Sequence, residues 1–384
     1  MKIVIAPDSF KGSLTALKVG TIIKEAFSKE LPDVNLEVIP MADGGEGTLD
    51  TLIYATNGSR QNLTASGPLL DLVETEYGVL GDNKTAVIEI AAISGLPMVP
   101  PDKRNPIYTS TFGFGEVIKQ ALEDGYRELI VGLGGSSTND GGLGMLQALG
   151  ARFLDEHDDA LPSFGSSLFK VKRVDFTGLH PLLKEAKFTI ASDVNNPLTG
   201  PNGATYVFGP QKGIADSELE VFDQAMERYA SLVENQVGLD LKELEGAGAA
   251  GGLGFAFLIL NAKIESGSKI VADATRLQDK IVNADFVITG EGQSDYQTLL
   301  GKVPSFISNI AKEAGVKTIL LSGSLGKGYE ALYDHFLSCH SIATGPMSLV
   351  ECMENAEILL YNQARNIALL IKGITEECNN QVSI

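Results

Sequence analysis

The densest chemistry in the sequence lies at Gly132-Leu133-Gly134-Gly135-Ser136-Ser137-Thr138-Asn139-Asp140-Gly141-Gly142-Leu143-Gly144. Five of the eleven residues 132–142 are glycine, and three successive hydroxyls sit in the middle of the run. Glycine permits positive φ and a close approach of backbone to a ligand. Hydroxyls can hold phosphate oxygens or a metal-bound water. An apolar run at 129–131 leads into the loop, and the helical pattern Leu143, Met145, Leu146, Leu149 leads out of it. Strand, glycine turn and helix together aim unpaired N–H groups and a positive helix end at an anion. For a single such loop, a tight turn capped by Asn139 or Asp140 explains the pattern equally well. Similar loops elsewhere in the chain weigh against that plainer account.

Carboxylates recur directly after apolar runs, at Asp8, Asp43, Asp193, Glu291 and Asp295. In open parallel sheets ligands bind at the carboxyl ends of strands, so these positions are candidates for one site. Glycines flank Asp43, Glu46 and Glu291, which leaves room for a substrate or a metal ion beside them. Any one Asp after a strand is a common turn former; five in corresponding places ask for more. Lys11, Arg104, Lys212, Lys302 and Lys327 occupy loops of the same kind. A lysine there can neutralise a transferring phosphoryl group while carboxylates hold Mg²⁺. Other catalytic patterns are missing: no Walker loop, no H-R-D or D-F-G, no nucleophile elbow, and no G-x-G-x-x-G after the first strand. His157, His180, His335 and His340 form no metal spacing and lie outside the glycine motifs.

These residues need strands and helices to position them. Residues 2–7 read as a continuous apolar strand of the kind buried in a parallel sheet. A helix follows, capped by Ser13 or Thr15, with its stripe at Leu14, Leu17, Ile22, Ile23, Ala26 and Phe27. A second strand at 35–39, a helix through Leu49, Leu52 and Ile53, and a third strand near 62–65 complete a βαβαβ pattern. The texture then changes to a hairpin, 75–80 and 85–90, turning at Gly81-Asp82-Asn83. A proline-rich loop, a helix from Gly115, the glycine loop and its helix come next, and then a polar, irregular stretch at 155–172 that reads as an exposed excursion. A strand at 187–192 delivers Asp193, and a second glycine loop (246–254) opens an apolar helix. Strands at 285–289 and 318–321, with helices at 304–314 and 355–372, have the character needed to rejoin the first sheet. The expected fold class is therefore α/β with two domains. Residues 1–73 and 285–384 form a discontinuous Rossmann-like parallel-sheet domain. An inserted mixed α/β domain with antiparallel strands spans 74–284, and the active-site cleft is expected between them.

Composition bounds the function. At 384 residues the chain exceeds one ordinary core. A net charge of −19 argues against nucleic acid and anionic membrane as partners, though not against an anionic substrate met by a few local cations. Cys339, Cys352 and Cys378 are odd in number and lack metal spacing, so they read as reduced thiols of a cytoplasmic protein. No signal peptide and no apolar run of membrane length is visible.

The ordered motifs carry a resemblance. Ala6-Pro7-Asp8-Ser9-Phe10-Lys11-Gly12-Ser13, Met41-Ala42-Asp43-Gly44-Gly45-Glu46-Gly47-Thr48, the 132–144 loop and Asp193-Val194-Asn195-Asn196-Pro197-Leu198 belong to the set. So do Phe208-Gly209-Pro210-Gln211-Lys212-Gly213, the 246–254 loop, Gly290-Glu291-Gly292, Asp295 and Gln297-Thr298. In this order, over residues 2 to 302 and more weakly beyond, they resemble the type-1 glycerate kinase family. Gln293-Ser294 departs from the pattern, where many members carry Arg and an apolar residue. The resemblance implies transfer of the γ-phosphoryl of ATP to D-glycerate with Mg²⁺ in the cytoplasm, 2-phosphoglycerate being more common in bacterial members than 3-phosphoglycerate. With the chemistry above, it gives these expected roles. Asp193 or Asp295 accepts the hydroxyl proton, and Lys11 stabilises the transferring group. Asp8, Ser9 and Arg104 bind the substrate. Gly134, Gly135, Ser136, Ser137, Thr138 and Lys212 bind nucleotide phosphates, and Asp43, Glu46 and Glu291 hold the metal. The expected assembly is a monomer or homodimer. A phosphatase or dehydrogenase of small hydroxy acids, and a non-catalytic sugar-acid sensor, are the rival readings.

Overall fold

The computed structural model describes residues 1–382, with side chains described through residue 375; Cys378 lies outside the described side chains. Contacts divide the chain into two units, one of Met1–Asp43 with the chain from Ser268 onward, the other Gly44–Gly267.

The first unit begins with strands β1 (Lys2–Ile5) and β2 (Asn35–Val38). The second contains β3 (Ser59–Ser66), β4 (Leu72–Val79), β5 (Thr85–Glu89), β6 (Glu128–Gly132), β7 (Arg152–Leu154), β8 (Arg173–Asp175), β9 (Lys187–Ala191) and β10 (Lys263–Glu265). The chain then returns to the first unit with β11 (Phe286–Thr289), β12 (Gln293–Ser294), β13 (Lys317–Ser322), β14 (Ser324–Leu325) and β15 (Ser338–Ser341).

In the first unit a five-stranded, wholly parallel sheet has the order β15-β13-β11-β1-β2. Ile3, Val4 and Ile5 are fully buried because β1 has neighbours on both edges and helices over its faces. Helix Ala16–Glu30 is capped by Thr15, whose hydroxyl accepts from Lys18 N at 3.3 Å. Its inward stripe of Val19, Ile22, Ile23, Ala26 and Phe27 shares a core with Ala364, Ile367 and Ala368 of the last helix, Ala356–Val382. Fully burying a side chain such as Phe27 or Ile23 stabilises the unit by about 1.5–3 kcal/mol. As expected, the C-terminal strands and helices rejoin the N-terminal sheet. β15, a short polar edge strand, offers no apolar run by which to find it in the sequence.

The second unit has a six-stranded sheet of order β10-β9-β6-β5-β4-β3. Its strands run parallel from β5 to β10 and antiparallel through β3, β4 and β5. All five residues of β5 are buried. Helix Phe112–Glu123 places Phe114, Val117, Ile118, Ala121 and Leu122 in one core with Leu143, Met145 and Leu146.

Three expectations change here. The third strand exists, but it pairs antiparallel with β4 from Ser59↔Val79 to Ser66↔Leu72 and does not join the parallel sheet. Its polar sequence, SRQNLTAS, suits an exposed edge. The tight return at 67–71, closed by Gly67 N to Asp71 O at 2.7 Å, is too short for a parallel crossover. Helix Thr48–Thr56 goes with it, since Leu49 and Ile53 pack where a side chain at Gly78 of β4 would stand. The units therefore divide at 43/44 and 267/268, not at 73/74 and 284/285. The 155–172 stretch is irregular but not simply exposed: Leu161, Leu168 and Val171 are buried in the second core.

Candidate functional site

In the first unit, backbone pairing continues past the ends of the strands and aligns the acidic motifs. Asp8 N donates to Gly290 O at 2.9 Å, and Met41 N donates to Pro7 O at 2.9 Å. Asp8, Asp43 and Glu291 thus leave the carboxyl edge of adjacent parallel strands, the edge at which such sheets bind ligands. Lys11 meets them there, its Nζ 2.7 Å from Asp43 Oδ2. Burial, then the charge of Asp43, pushes the Asp8 carboxyl far above the usual carboxylate range, against the pull of Lys11. Burial alone would lower the Lys11 ammonium, but Asp43 and Asp8 outweigh it and hold it above the ordinary lysine value. Glu291 is raised by burial, opposed by Lys302 3.5 Å away and by the hydroxyls of Thr298 and Ser294, at 2.7 and 3.0 Å.

Ser9 donates its N–H to Asp8 Oδ1 at 2.7 Å, while its buried hydroxyl has no hydrogen-bond partner among the described residues. Asp295 is half-buried, and its carboxylate accepts from Gln297 N at 2.8 Å, capping a short 3₁₀ turn. Through Thr298, which receives the Asp295 N–H and donates to Glu291, Asp295 is tied to the acidic group.

The second unit holds the other motifs. The glycine loop leaves β6, and its first glycines serve packing. Gly134 N donates to Gly44 O at 3.1 Å, and a Cβ on Gly134 would stand 2.4 Å from Gly45 Cα. Gly44 in turn lies against Ala191 and Ser192 at the end of β9, immediately before Asp193. Three of the motifs are thereby in direct contact: 44–47, 132–136 and 191–193. Asp193 is half-buried and accepts from Gly267 N at 3.1 Å. Glu46 is exposed on the turn before helix Thr48–Thr56.

Beyond Gly134 the loop is exposed only at Gly135, whose φ is +80°. The backbone N–H groups of Gly135 and Ser136 donate to no partner among the described residues, the condition for binding an anion. Ser137 Oγ is committed to Ser94 O at 2.9 Å, and Thr138 Oγ1 is buried without a partner among the described residues. The capping role falls to Asp140, whose carboxylate accepts from Thr111 N and Oγ1, Gly142 N and Gly144 N at 2.8–3.3 Å. Lys212 is 3 % exposed, with Nζ 2.9 Å from Ser136 Oγ and 2.7 Å from Thr138 O. Burial lowers it to about 7, against the pull of Asp140. Arg104 is half-buried and donates to Val99 O and Leu96 O; Leu96 N in turn donates to Gly135 O at 2.8 Å.

Glu89 was not found by reading the sequence. It closes β5, is buried, and accepts from Thr48 N at 2.9 Å, capping helix Thr48–Thr56, whose own cap residue Gly47 has no side chain. Burial pushes its carboxyl up to about 8; Asp50 and Glu46 add to this, and the Thr48 N–H opposes it. The only signal was a carboxylate inside the apolar run TAVIE.

The acidic group offers hard oxygen donors, which suit Mg²⁺. Among the described residues no group of three or more His, Cys, Asp or Glu is arranged as a metal cage. A Mg²⁺ ion that arrives with phosphates and keeps several waters needs only one or two carboxylates, so Asp43 and Glu291 fit it. Cys339 and Cys352 are free thiols. Among the described residues no helix is long and apolar enough to cross a membrane.

Comparison with known proteins gives a consistent result. The model of the family described as "Glycerate kinase family" matches residues 3–372, further than the motifs alone extend. A glycerate kinase of Halalkalibacterium halodurans is 45% identical, over 96% of this chain and 97% of that protein. The glycerate 2-kinase of Escherichia coli K12 is 42% identical, over 96% and 97% of the two chains. A crystal structure from Salmonella typhimurium LT2 superposes with a TM-score of 0.83 at 42% identity, covering 98% of this chain and 99% of the other.

Proposed function

The chain belongs to the glycerate kinase family and is a phosphotransferase that takes glycerate and ATP; on that premise we propose that it phosphorylates D-glycerate at the 2-hydroxyl. The observation that carries the chemistry is Lys11 among Asp8, Asp43 and Glu291 at one sheet edge. Phosphoryl transfer is mainly positioning and charge neutralisation. Lys11, held fully charged by its neighbours, stabilises the transferring group. Asp43 and Glu291, with Glu46 from the following turn, hold Mg²⁺, which when bound neutralises phosphoryl oxygens. Asp8, the unpartnered hydroxyl of Ser9, and Arg104 bind glycerate. Gly134, Gly135, Ser136, Ser137 and Thr138, with Lys212 beneath them, form the nucleotide-phosphate part, the open N–H groups of Gly135 and Ser136 making the direct contacts. Asp193 or Asp295 accepts the proton of the reacting hydroxyl. The protein acts in the cytoplasm as a monomer or homodimer.

The choice of the 2-hydroxyl is supported by the E. coli relative, a glycerate 2-kinase. Phosphorus NMR of the product formed from ATP and D-glycerate tests it directly. A 2-phosphoglycerate resonance is expected, and 3-phosphoglycerate as the sole product refutes the assignment. Asp193→Asn and Asp295→Asn resolve the base: the true acceptor loses most of its kcat on substitution while the fold is retained. Near-normal turnover in both variants removes both from the role.

A further inference from the structure

Lys212 is a buried lysine without a carboxylate at ion-pair distance among the described residues. Asp140, the anion that acts on it most, already accepts four hydrogen bonds from the loop and from Thr111. A buried ammonium with no opposing carboxylate beside it is costly. What the ammonium does here is specific. Its two bonds reach Ser136 Oγ and Thr138 O, one on each side of Ser137, and draw the loop onto a single support. The support itself is fixed. Lys212 ends the 3₁₀ turn Pro210–Lys212, and Gly213, at φ +102°, lies so close to Arg104 that a Cβ there would stand 2.0 Å from its carbonyl oxygen. Leu96 N to Gly135 O and the N–H and hydroxyl of Ser137 to Ser94 O hold the neighbouring parts of the loop, whereas Ser136 Oγ and Thr138 O take their hydrogen bonds from Lys212, and Thr138 Oγ1 has no partner among the described residues.

We propose that Lys212 is a positioning residue for the triphosphate of the nucleotide: it acts through Ser136 and Thr138, presenting the N–H groups of Gly135 and Ser136 to phosphate oxygens without touching them itself. This rests on the reading of residues 134–138 as the nucleotide-phosphate loop. An anion at the loop favours the ammonium form of Lys212 beneath it, and the two hydrogen bonds fix the direction in which the N–H groups point.

The test uses Lys212→Met, Ser136→Ala and Gly135→Asp in the full-length protein, with urea unfolding, kcat, and separate KM values for ATP and glycerate. Lys212→Met is expected to keep its glycerate KM and to raise the ATP KM about tenfold or more, the loss of one to two charge-assisted hydrogen bonds. Ser136→Ala, which removes one of the two acceptors, is expected to raise the ATP KM about threefold. It also serves as the test if Lys212→Met fails to fold, and an unchanged ATP KM in it would then overturn the proposal. Lys212→Met with lower stability but wild-type ATP KM and kcat shows a merely structural lysine and overturns it as well. Gly135→Asp separates this from failure of the loop reading, because it puts a carboxylate on the loop's exposed residue. If Gly135→Asp raises the ATP KM and Lys212→Met does not, the loop stands and the positioning role falls. If Gly135→Asp leaves the ATP KM unchanged, the loop is not a phosphate site and both readings fall.

Discussion

Gly134→Ala tests whether the contact between the Gly44-Gly45 segment and the glycine loop sets the geometry of catalysis. The added Cβ would stand 2.4 Å from Gly45 Cα and 3.1 Å from Gly45 N. Both are backbone atoms, so no side-chain rotation relieves the clash, and ordinary carbon contacts begin near ~3.5 Å. The two segments must part by about 1 Å. Gly134 is not among the positive-φ residues, so alanine carries no torsional penalty and the effect is steric. Overpacking of this kind costs about 1–3 kcal/mol. Stretching the 3.1 Å bond from Gly134 N to Gly44 O adds about 0.5–1.5 kcal/mol. A displacement of about 1 Å at a positioning element lowers turnover about 100-fold. Glycerate-dependent ADP release in a coupled assay measures kcat/KM, and urea unfolding measures stability. Gly125→Ala is the control: at φ +100° with nothing within 4 Å of its Cβ, it pays only torsional strain and keeps activity. Wild-type kcat/KM and unfolding midpoint in Gly134→Ala would refute the argument.

Lys11→Met should lower kcat about 100- to 1,000-fold if Lys11 is the proposed cation facing the transferring group, and steady-state kinetics on the folded variant measures it; a loss below tenfold counts against the assignment. Asp140→Ala strands four donors, in Thr111, Gly142 and Gly144, and should cost about 3–5 kcal/mol in urea unfolding; a change under about 1 kcal/mol contradicts the capping role. Glu89 has a folded pKa of about 8, above its ordinary 4.5, so the native state holds the extra proton between those values. Its contribution to stability is full at the acid end and is lost as pH rises through about 8. Glu89→Gln cannot ionise, so it should gain on the wild type as pH rises from 5 to 9; parallel stability curves for the two proteins would remove the claim.

What the sequence determined by itself is what short range encodes. The period of apolar residues placed β1, β2, β9, β11 and β13, and Ser13 and Thr15 stood out as candidate caps for the first helix, of which the fold uses Thr15. The order of glycine and acidic motifs identified the family, because each motif is a contiguous string whose chemistry needs no partner to be recognised. Tertiary structure decided which strings meet. β3 was legible as a strand, but its sheet depended on a tight return that forces antiparallel pairing with β4. The glycines at 132 and 134 looked like room for a ligand, yet they make room for Gly44 and Gly45, ninety residues away in sequence. Lys212 read as one loop lysine among several until its burial on Ser136 and Thr138 set it apart. Glu89 passed as part of an apolar run until the fold set it under a helix whose cap has no side chain. Periodicity and composition report on the faces of one element, whereas burial of a charge and the close approach of two backbones are properties of pairs of elements, and those pairs exist only once the chain has folded.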